Sequence, residues 1–333
     1  MKKRLLSLLL VVAFVFALVA CGNTTTDADG KEEEKVKATT MTMGTGGTQG
    51  TYFAYGNVLS QYIKDKTNIS VTAVSSDGSK ANIQSVDVGD YQLGTVQSDV
   101  MHYAWNGTRS FETEGKLTTF RTVAGLYAEA VQLVTTNPNV KSVADLKGKK
   151  VSIGAPGSGV YFNAMDILSA AGLTEKDINP QYQNFDQSAD ALKDGKIDAA
   201  FIVAGAPTPA ITELCMTNAK TRIVPIDGDI AEKLMKDNTF YSVYKIPAET
   251  YKNQAEEIAT VTVKATMIVS TDASEEAVYA LTAAIFDNAE AITAAHAKGA
   301  ELSLENATSG MTAPFHAGAA KYFAEKGITV EAK

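Results

Sequence analysis

Apolar and polar positions along residues 38–105 follow a pattern that switches between strand and helix periods. Residues 38–43 and 69–74 are short β-branched or apolar runs, which predict strands, and residues 79–86 carry the spacing of a helix. A further strand is predicted at 92–96, followed by a helix that Ser98 and Asp99 cap and that ends near Trp105. Alternation of this kind predicts a parallel sheet with crossover helices.

The same plan occurs a second time. Residues 149–153 predict a strand, residues 154–159 (GAPGSG) a glycine-rich turn, and a helix follows that ends at Ala171 and Gly172. A strand at 195–203 then corresponds to the one at 89–96. Two α/β units whose strands end at a shared crevice predict a two-lobed protein with a hinged binding cleft.

Two extended runs adjoin the predicted lobe boundaries. Residues 130–136 and 261–270 are rich in β-branched side chains and predict a pair of crossing strands that form a hinge. Apolar helices are predicted from 274 to about 298 and from 313 to 326, and both are assigned to the first lobe. The predicted domains are residues 37–130 with 264–333 for lobe I, and residues 131–263 for lobe II.

The glycine-rich stretch at residues 44–50 (GTGGTQG) lies between the first strand and a helix whose apolar face includes Tyr55 and Leu59. Backbone N–H groups at a helix N-terminus lack intrahelical partners and favour an anion. Glycine permits close approach, and the hydroxyls of Thr45 and Thr48 add donors. Gln49 interrupts the dinucleotide fingerprint, and no Lys-Ser/Thr pair follows as in a P-loop. The stretch therefore predicts a carboxylate site, with a simple connecting turn as the alternative.

The N-terminus carries a targeting signal. Three basic residues precede an apolar run from Leu5 to Ala20, which is too short and too closely followed by polar sequence to span a membrane. The order of leucine, small residues and Cys21 resembles the bacterial lipobox, in which the cysteine is lipid-modified. We predict a signal peptide at residues 1–20 and a flexible polar tether at 21–36. An ordinary export signal is the alternative.

Composition excludes several classes of function. The formal net charge is −8, whereas a nucleic-acid binder needs a basic surface. Cys215 is the remaining thiol after Cys21, so a disulfide framework is not expected, and Cys215 is predicted to pack as a small hydrophobe. The three histidines are scattered, and Ser158 lacks the flanking glycines of a nucleophile elbow. We predict no enzyme activity, no metal and no cofactor.

Several motifs together resemble those of the TAXI subfamily of solute-binding proteins from TRAP (tripartite ATP-independent periplasmic) transporters. They are the lipoprotein signal, residues 44–52, 96–100, 125–129, 154–159 and 205–207, and the ending at 301–306. The resemblance implies a two-lobed type II periplasmic-binding-protein fold of the Venus-flytrap kind, a membrane permease as partner, and ligands such as glutamate or glutamine. Wider TRAP relatives clamp a carboxylate with arginine, but no arginine lies in these loops, so the loops are expected to bind the anion.

The predicted site draws on both lobes. The glycine loops supply donors, aromatic side chains line the cleft, and Glu129 pairs with an ammonium group of the ligand. The alternatives are core packing for the aromatic residues, helix capping for Ser98 and a solvated strand charge for Glu129. The predicted ligand-binding residues are Thr45, Gly46, Gly47, Thr48, Gln49, Tyr52, Gln97, Ser98, Tyr127, Glu129, Ser158, Gly159, Tyr161, Phe162 and Pro207, with Phe53 as a further cleft residue.

The sequence thus predicts a monomeric extracytoplasmic lipoprotein, anchored to the bacterial cell membrane, that captures a small carboxylate for a TRAP-type permease. Glutamate, glutamine or a related dicarboxylate is the expected ligand. One alternative is the substrate-binding component of an ATP-driven (ABC) importer with the same fold. Another is an enzyme on a two-lobed scaffold, which would convert its ligand.

We predict that Cys21→Ser prevents lipid attachment, because the thiol is the acceptor in a lipobox. The variant should lose metabolic labelling with a radioactive fatty acid and leave the membrane fraction. Unchanged labelling and fractionation would contradict the prediction.

Overall fold

The computed structural model describes residues 38–333 of the chain. The predicted signal peptide, Cys21 and the predicted tether lie outside the described residues. Within residues 38–333, no helix combines the length and apolar character needed to cross a bilayer.

The described residues form ten β-strands and eleven α-helices. The strands are β1 (Thr39–Gly44), β2 (Ile69–Val74), β3 (Leu93–Gln97), β4 (Phe120–Thr135), β5 (Lys150–Ser152), β6 (Asn179–Gln181), β7 (Ala199–Ala204), β8 (Arg222–Val224), β9 (Ser242–Ile246) and β10 (Ile258–Ser270). The helices are α1 (Thr51–Lys66), α2 (Ser79–Asp87), α3 (Ser98–Asn106), α4 (Val160–Ala170), α5 (Phe185–Lys193), α6 (Pro209–Thr217), α7 (Gly228–Asp237), α8 (Glu275–Phe286), α9 (Ala289–Ala295), α10 (Leu304–Thr308) and α11 (Ala317–Glu325). Short 3₁₀ helices cover Arg109–Phe111, Val143–Leu146, Glu175–Asp177 and Ala297–Glu301.

The strands join into one mixed sheet in the order β2-β1-β3-β10-β4-β7-β5-β6. At one end β1 pairs in parallel with β2 and β3, and at the other β5 pairs in parallel with β6 and β7. Between them, β10 runs antiparallel to both β3 and β4. Each parallel set follows the predicted strand-and-helix alternation, because crossover helices return the chain to the same edge of the sheet.

Each half of the sheet is covered by helices on both faces. In the first half, α1, α8 and α11 enclose a core that includes Leu59, Leu281 and Phe323, and α2 and α3 cover the other face. In the second half, α4 and α7 pack on one face and α5 and α6 on the other. We call these halves the first and second lobe. Cys215 is buried among apolar residues of the second lobe, as predicted.

The central strands are longer than predicted. The strand expected at 130–136 begins at Phe120, and the strand expected at 261–270 begins at Ile258. The two pair from Thr262 opposite Ala130 to Ser270 opposite Phe120, so both run through the two lobes without a break. The sequence pattern hid the first half of β4 because its residues are buried on both faces and show no alternation. The predicted domain boundaries fall inside these continuous strands and stay a prediction.

The C-terminal helices differ from the prediction. The single helix expected at 274–298 is broken after Phe286, where the Asn288 side chain donates to the Ala284 carbonyl at 2.9 Å and ends α8. The last helix begins at Ala317 rather than at 313, because His316 accepts a hydrogen bond from the Gly318 N–H and acts as its cap. These side-chain contacts replace helical hydrogen bonds, which an apolar periodicity does not reveal.

We predict that Leu59→Ala destabilises the protein by about 2–5 kcal/mol, since the Leu59 side chain is fully buried in the core of the first lobe. Urea unfolding measures the effect. Val88→Ala is the control, because Val88 is 70% exposed and its truncation should change the free energy of unfolding by no more than about 0.5 kcal/mol. Equal effects of the two substitutions would contradict the described core.

Candidate ligand-binding cleft

A cavity of about 70 Å³ lies where the strand ends of the two lobes meet. The first lobe contributes the residues just after β1 and the end of β3. The second lobe contributes the residues after β5 and the end of β7. This is the edge at which open α/β sheets bind ligands. The lining residues are Gly46, Gly47, Gly50, Thr51, Tyr52, Ser76, Asp77, Gly78, Ser79, Gln97, Glu129, Ala155, Ser158, Gly159, Val160, Gln183, Asn184, Phe185, Val203 and Ala204.

Three helices begin at the cavity wall with glycine as their N-cap. Gly50 precedes α1, Gly78 precedes α2 and Gly159 precedes α4, and none of the three helices has a side-chain capping bond. A serine, threonine or aspartate cap would occupy the first free backbone N–H groups, and glycine leaves them open. The aligned peptide dipoles add partial positive charge at each end. The cavity can therefore hold an anion without a basic side chain.

Other groups already occupy such donors at α5 and at α2, the latter being one of the three glycine-capped helices. Helix α5 also begins at the cavity, but the Asn184 side chain accepts a hydrogen bond from the Gln187 N–H and caps it. At α2, the N–H groups of Lys80 and Ala81 donate to the Gly157 carbonyl of the second lobe, at 3.0 and 3.2 Å. Helix α2 thus uses part of its donor capacity to hold the lobes together.

Glu129 provides a buried carboxyl group in the cavity wall. Its side chain is 2% exposed, and the Tyr52 hydroxyl donates to its Oε1 atom. Burial raises the pKa of Glu129 to about 8; hydrogen bonds from Tyr52 and Gln97 oppose that rise, and the nearby Asp99 carboxyl adds to it. A carboxylate desolvated in this way gains most from a cationic partner. Glu129 is therefore suited to an ammonium group, and its buried position is inconsistent with a solvated strand charge.

No lysine, arginine or histidine is among the described residues that line the cavity. Arg109 pairs with Asp166 at 2.6 Å, and Arg222 donates to the carbonyls of Asn137 and Val140. Within residues 38–333 no cluster of His, Cys, Asp or Glu side chains is arranged to bind a metal. Recognition of an anion in this cavity must rest on backbone N–H groups and neutral side chains.

The lobes contact each other around the cavity. The Thr51 hydroxyl donates to the Gly205 carbonyl at 2.7 Å, and the Ala210 N–H donates to the Gln49 carbonyl at 3.2 Å. Gln97 of the first lobe donates to Asn163 of the second at 3.0 Å. A ligand in the cavity would touch both lobes, so closure and binding are linked.

Seven of the predicted site residues lie together on the cavity wall. They come from separate segments of both lobes, which supports the prediction of a shared site. They are Gly46, Gly47, Tyr52, Gln97, Glu129, Ser158 and Gly159.

The other residues predicted in the first glycine loop point elsewhere. The Thr45 hydroxyl donates to the Val74 carbonyl at 2.6 Å and is buried, so it is not a free donor. Thr48 is exposed to solvent, and Gln49 contributes a carbonyl to the lobe contact. The sequence placed these residues correctly in the loop but could not tell which of its sides faces the cavity.

The remaining predicted residues also lie off the cavity wall. Ser98 is not a cap: it is the first residue of α3, and its hydroxyl accepts a hydrogen bond from the Lys264 N–H at 3.3 Å. Tyr127 is fully buried against Tyr55, with ring centroids 5.4 Å apart. Pro207 is exposed.

The Tyr-Phe pairs are not equivalent, although they occupy corresponding helix starts. Tyr52 reaches the cavity, whereas Phe53 does not line it. The Tyr161 hydroxyl donates to Glu175 at 3.2 Å, and Phe162 packs on Tyr103 of the first lobe at 6.2 Å between ring centroids. Phe53, Tyr161 and Phe162, which were expected in the cleft, are therefore not part of the cavity wall.

Sequence reasoning missed part of the wall. Four lining residues at the start of α2 were not predicted for the site, although their serine-glycine composition is typical of a helix start: Ser76, Asp77, Gly78 and Ser79. Phe185 covers Gly50, and an added Cβ there would lie 3.5 Å from its ring. Only the folded chain brings α5 against the first lobe, so its role could not be predicted.

The local conformations of Gly47 and Ser158 limit what each residue contributes to the cavity. Gly47 does not adopt a positive φ, and a Cβ added there would meet no atom within 4 Å, so a larger residue would not strain the turn. The Ser158 hydroxyl already donates to the Ala155 carbonyl at 2.8 Å, which leaves its oxygen to act as an acceptor. Close packing against the first lobe requires glycine at position 159, where a Cβ would lie 1.6 Å from Oε1 of Gln97.

The architecture and cleft define a class of fold. A protein of known structure from Bordetella bronchiseptica RB50 is 19% identical, with 86% of this chain and 89% of that chain covered and a TM-score of 0.51. A periplasmic transporter is 12% identical, with 78% and 83% covered and a TM-score of 0.52. The alkanesulfonate-binding protein SsuA from Xanthomonas axonopodis pv. citri bound to MOPS is 14% identical, with 86% and 90% covered and a TM-score of 0.49. The predicted two-lobed α/β fold of type II periplasmic binding proteins is confirmed.

The family follows from the sequence itself. The model of the NMT1-like family matches residues 43–327, which include all the secondary structure from the end of β1 to α11. This chain belongs to the NMT1-like family.

We predict that Gly159→Ala opens the cleft, because the new Cβ would overlap Gln97, whose side chain is held at 2% exposure. Gly159 itself has helical dihedral angles, so alanine is not strained within the second lobe. Small-angle X-ray scattering should give a larger radius of gyration than for the wild type. Gly47→Ala is the matched control and should leave the radius unchanged; the same radius in all three proteins would refute the close contact.

Proposed function

We propose that this protein is an extracytoplasmic solute-binding protein that captures a small carboxylate between its lobes and delivers it to a membrane permease. The observation that carries the proposal is the convergence of three glycine-capped helix N-termini on one cavity that also contains Glu129. The first feature fits a carboxylate and the second an ammonium group. The periplasmic transporter with a similar fold supports a role in uptake.

The ligand we favour is an amino acid, with glutamate and glutamine as the first candidates and a related dicarboxylate as the next. Its α-carboxylate would accept hydrogen bonds from the helix N-termini, and its ammonium group would face Glu129. An acidic side chain would need a second set of backbone donors; the starts of α1 and α4 would supply one set each, since α2 donates to the Gly157 carbonyl. The aliphatic and aromatic wall formed by Val160, Val203 and Phe185 would cover the methylene groups.

The transporter class we propose is TRAP, with the protein as its TAXI-type binding component. Support comes from the motifs at residues 44–52, 96–100, 125–129, 154–159 and 205–207. An ABC importer could use the same fold and is the alternative. Vesicles that contain the permease encoded beside this gene would separate the two, since uptake driven by an ion gradient without ATP fits only a TRAP system.

The cellular form that we propose is a monomer held at the outer face of the cell membrane by a lipid on Cys21. We also propose that it does not convert its ligand. Mass spectrometry of ligand recovered after incubation with purified protein tests this point, and a chemically altered product would favour the enzyme alternative.

A thermal-shift screen against amino acids and organic acids tests the binding role. A ligand that binds only the folded state raises the melting temperature, and a concentration one hundred times the Kd corresponds to about 2.7 kcal/mol of added stability. We expect the largest shift from an amino acid with a free α-carboxylate and α-ammonium group. No shift from any amino or organic acid would contradict the proposed ligand class.

We predict that the affinity for L-glutamate rises with pH between 6 and 8. Because the pKa of Glu129 is raised to about 8, the free protein carries this carboxyl mostly protonated at pH 6, and an ammonium ligand requires the charged form. Release of one proton on binding gives at most about a tenfold increase per pH unit. Isothermal titration calorimetry at several pH values measures it.

Glu129→Gln should weaken binding and remove this pH dependence, whereas Glu290→Gln, an exposed control on α9, should retain both. Affinity that falls as pH rises would instead mean that protonated Glu129 donates a hydrogen bond to a carboxylate of the ligand.

A further inference from the structure

A second buried polar cluster joins the lobes beside the ligand cavity. Gln97 and Asp99 belong to the first lobe, and Asn163 and Tyr241 belong to the second. Each of the four residues is no more than 5% exposed. Buried polar groups are costly unless they are paired, so their placement in the lobe interface requires a specific arrangement of donors and acceptors.

The hydrogen bonds determine how the Asn163 amide is oriented. Its Nδ2 group donates to Oδ2 of Asp99 at 2.9 Å and to the Tyr241 hydroxyl at 2.7 Å. The Tyr241 hydroxyl donates its single proton to Asp166 at 3.2 Å, so it must accept the hydrogen bond from Asn163. The Nδ2 group of Asn163 therefore faces Asp99 and Tyr241, and its Oδ1 atom faces Gln97.

This orientation in turn fixes Gln97. Only a donor can face Oδ1 of Asn163, so Gln97 presents its Nε2 group there, at 3.0 Å. Gln97 also lines the ligand cavity, where its side chain favours the charged form of Glu129 and so opposes the rise in the pKa of that residue. Its Oε1 atom is packed against Gly159 and has no hydrogen-bond partner among the described residues. The Gln97 side chain thus connects the ligand cavity to Asn163.

Further contacts surround this connection. Arg109 of the first lobe pairs with Asp166, the acceptor of Tyr241, at 2.6 Å. Tyr103 of the first lobe packs between Phe162 and Phe240 of the second, each at 6.2 Å between ring centroids. Asn163 lies at the centre, since it bonds to both polar residues of the first lobe. These bonds can form only while the lobes are together.

We propose that Asn163 is a positioning residue that stabilises the closed lobes and orients Gln97 toward the ligand cavity. The proposal rests on the proposed binding function for its effect on affinity, but its effect on lobe closure does not depend on which ligand binds. The role depends on which residue donates and which accepts each hydrogen bond. Replacing one donor by an acceptor should therefore disrupt the cluster, and exchanging donor and acceptor between two partners should restore it.

Asn163→Asp replaces the donor that faces Asp99 by an acceptor. We expect a larger radius of gyration by small-angle X-ray scattering and an affinity for L-glutamate at least 30-fold weaker by calorimetry. The double variant Asp99→Asn with Asn163→Asp reverses this hydrogen bond and keeps the acceptor for Gln97, and the Tyr241 hydroxyl can turn its proton from Asp166 to the new carboxylate at position 163. It should recover the wild-type radius and an affinity within about fivefold of the wild type.

Two controls separate positioning from general stability. Asn57→Asp, on the exposed face of α1, should leave radius and affinity unchanged. Asn163→Ala introduces no charge, so it remains informative if Asn163→Asp does not fold; it should weaken L-glutamate binding at least tenfold in protein that melts cooperatively.

The outcomes distinguish the two proposals. If the wild type does not bind L-glutamate, the proposed ligand is wrong, and the scattering data still test Asn163. Wild-type radius and affinity in Asn163→Asp and Asn163→Ala, or a double variant no better than the single one, would overturn the role of Asn163.

Discussion

The pairing of β4 with β10 is the constraint on which the rest of the structure depends. Both strands pass through the two lobes, and every other strand of the sheet attaches to one of them directly or through a neighbour. Their register shifts twice, between Ala265 and Thr266 and between Met267 and Ile268, where the sheet passes into the first lobe. Since Glu129 lies on β4 opposite Val263, the hinge itself places the buried carboxyl in the cavity.

The chemistry of the cleft follows from burial and from glycine. Helices α1 and α4 keep their first backbone donors because Gly50 and Gly159 have no side chain to cap them, whereas α2 donates to the Gly157 carbonyl. Gly159 also makes room for Gln97. The charged residues that line the cavity are acidic, so an anion must be held by peptide dipoles. Glu129, in contrast, is suited to a cationic group of the ligand. A zwitterion satisfies both requirements in one molecule, which is why we favour an amino acid.

The folded chain also explains why pairs of similar sequence differ in role. Tyr52 and Tyr161 occupy matching positions after a glycine loop, yet one donates to Glu129 in the cavity and the other to Glu175 outside it. Internal repetition predicted the common plan because both units need the same strand, turn and helix. It could not predict the rotation of each helix, which depends on packing against elements distant in sequence, such as α8 for α1 and α7 for α4.

Local pattern by itself determined the α/β alternation, the use of one plan twice, and the glycine turns that begin helices at strand ends, since periodicity and backbone freedom are properties of neighbouring residues. It also proposed Tyr52, Gln97, Glu129, Ser158 and Gly159, which lie on the wall of the cavity between the lobes. Only the tertiary structure decided that the side chains of Thr45, Ser98 and Tyr127 are buried in the protein interior. It also decided that Phe185 and the start of α2 complete the cavity wall. The reason is physical: a hydroxyl, ring or carboxyl group can either pack and hydrogen-bond within the protein or face a ligand. Which of the two occurs depends on the distant segment that packs against it.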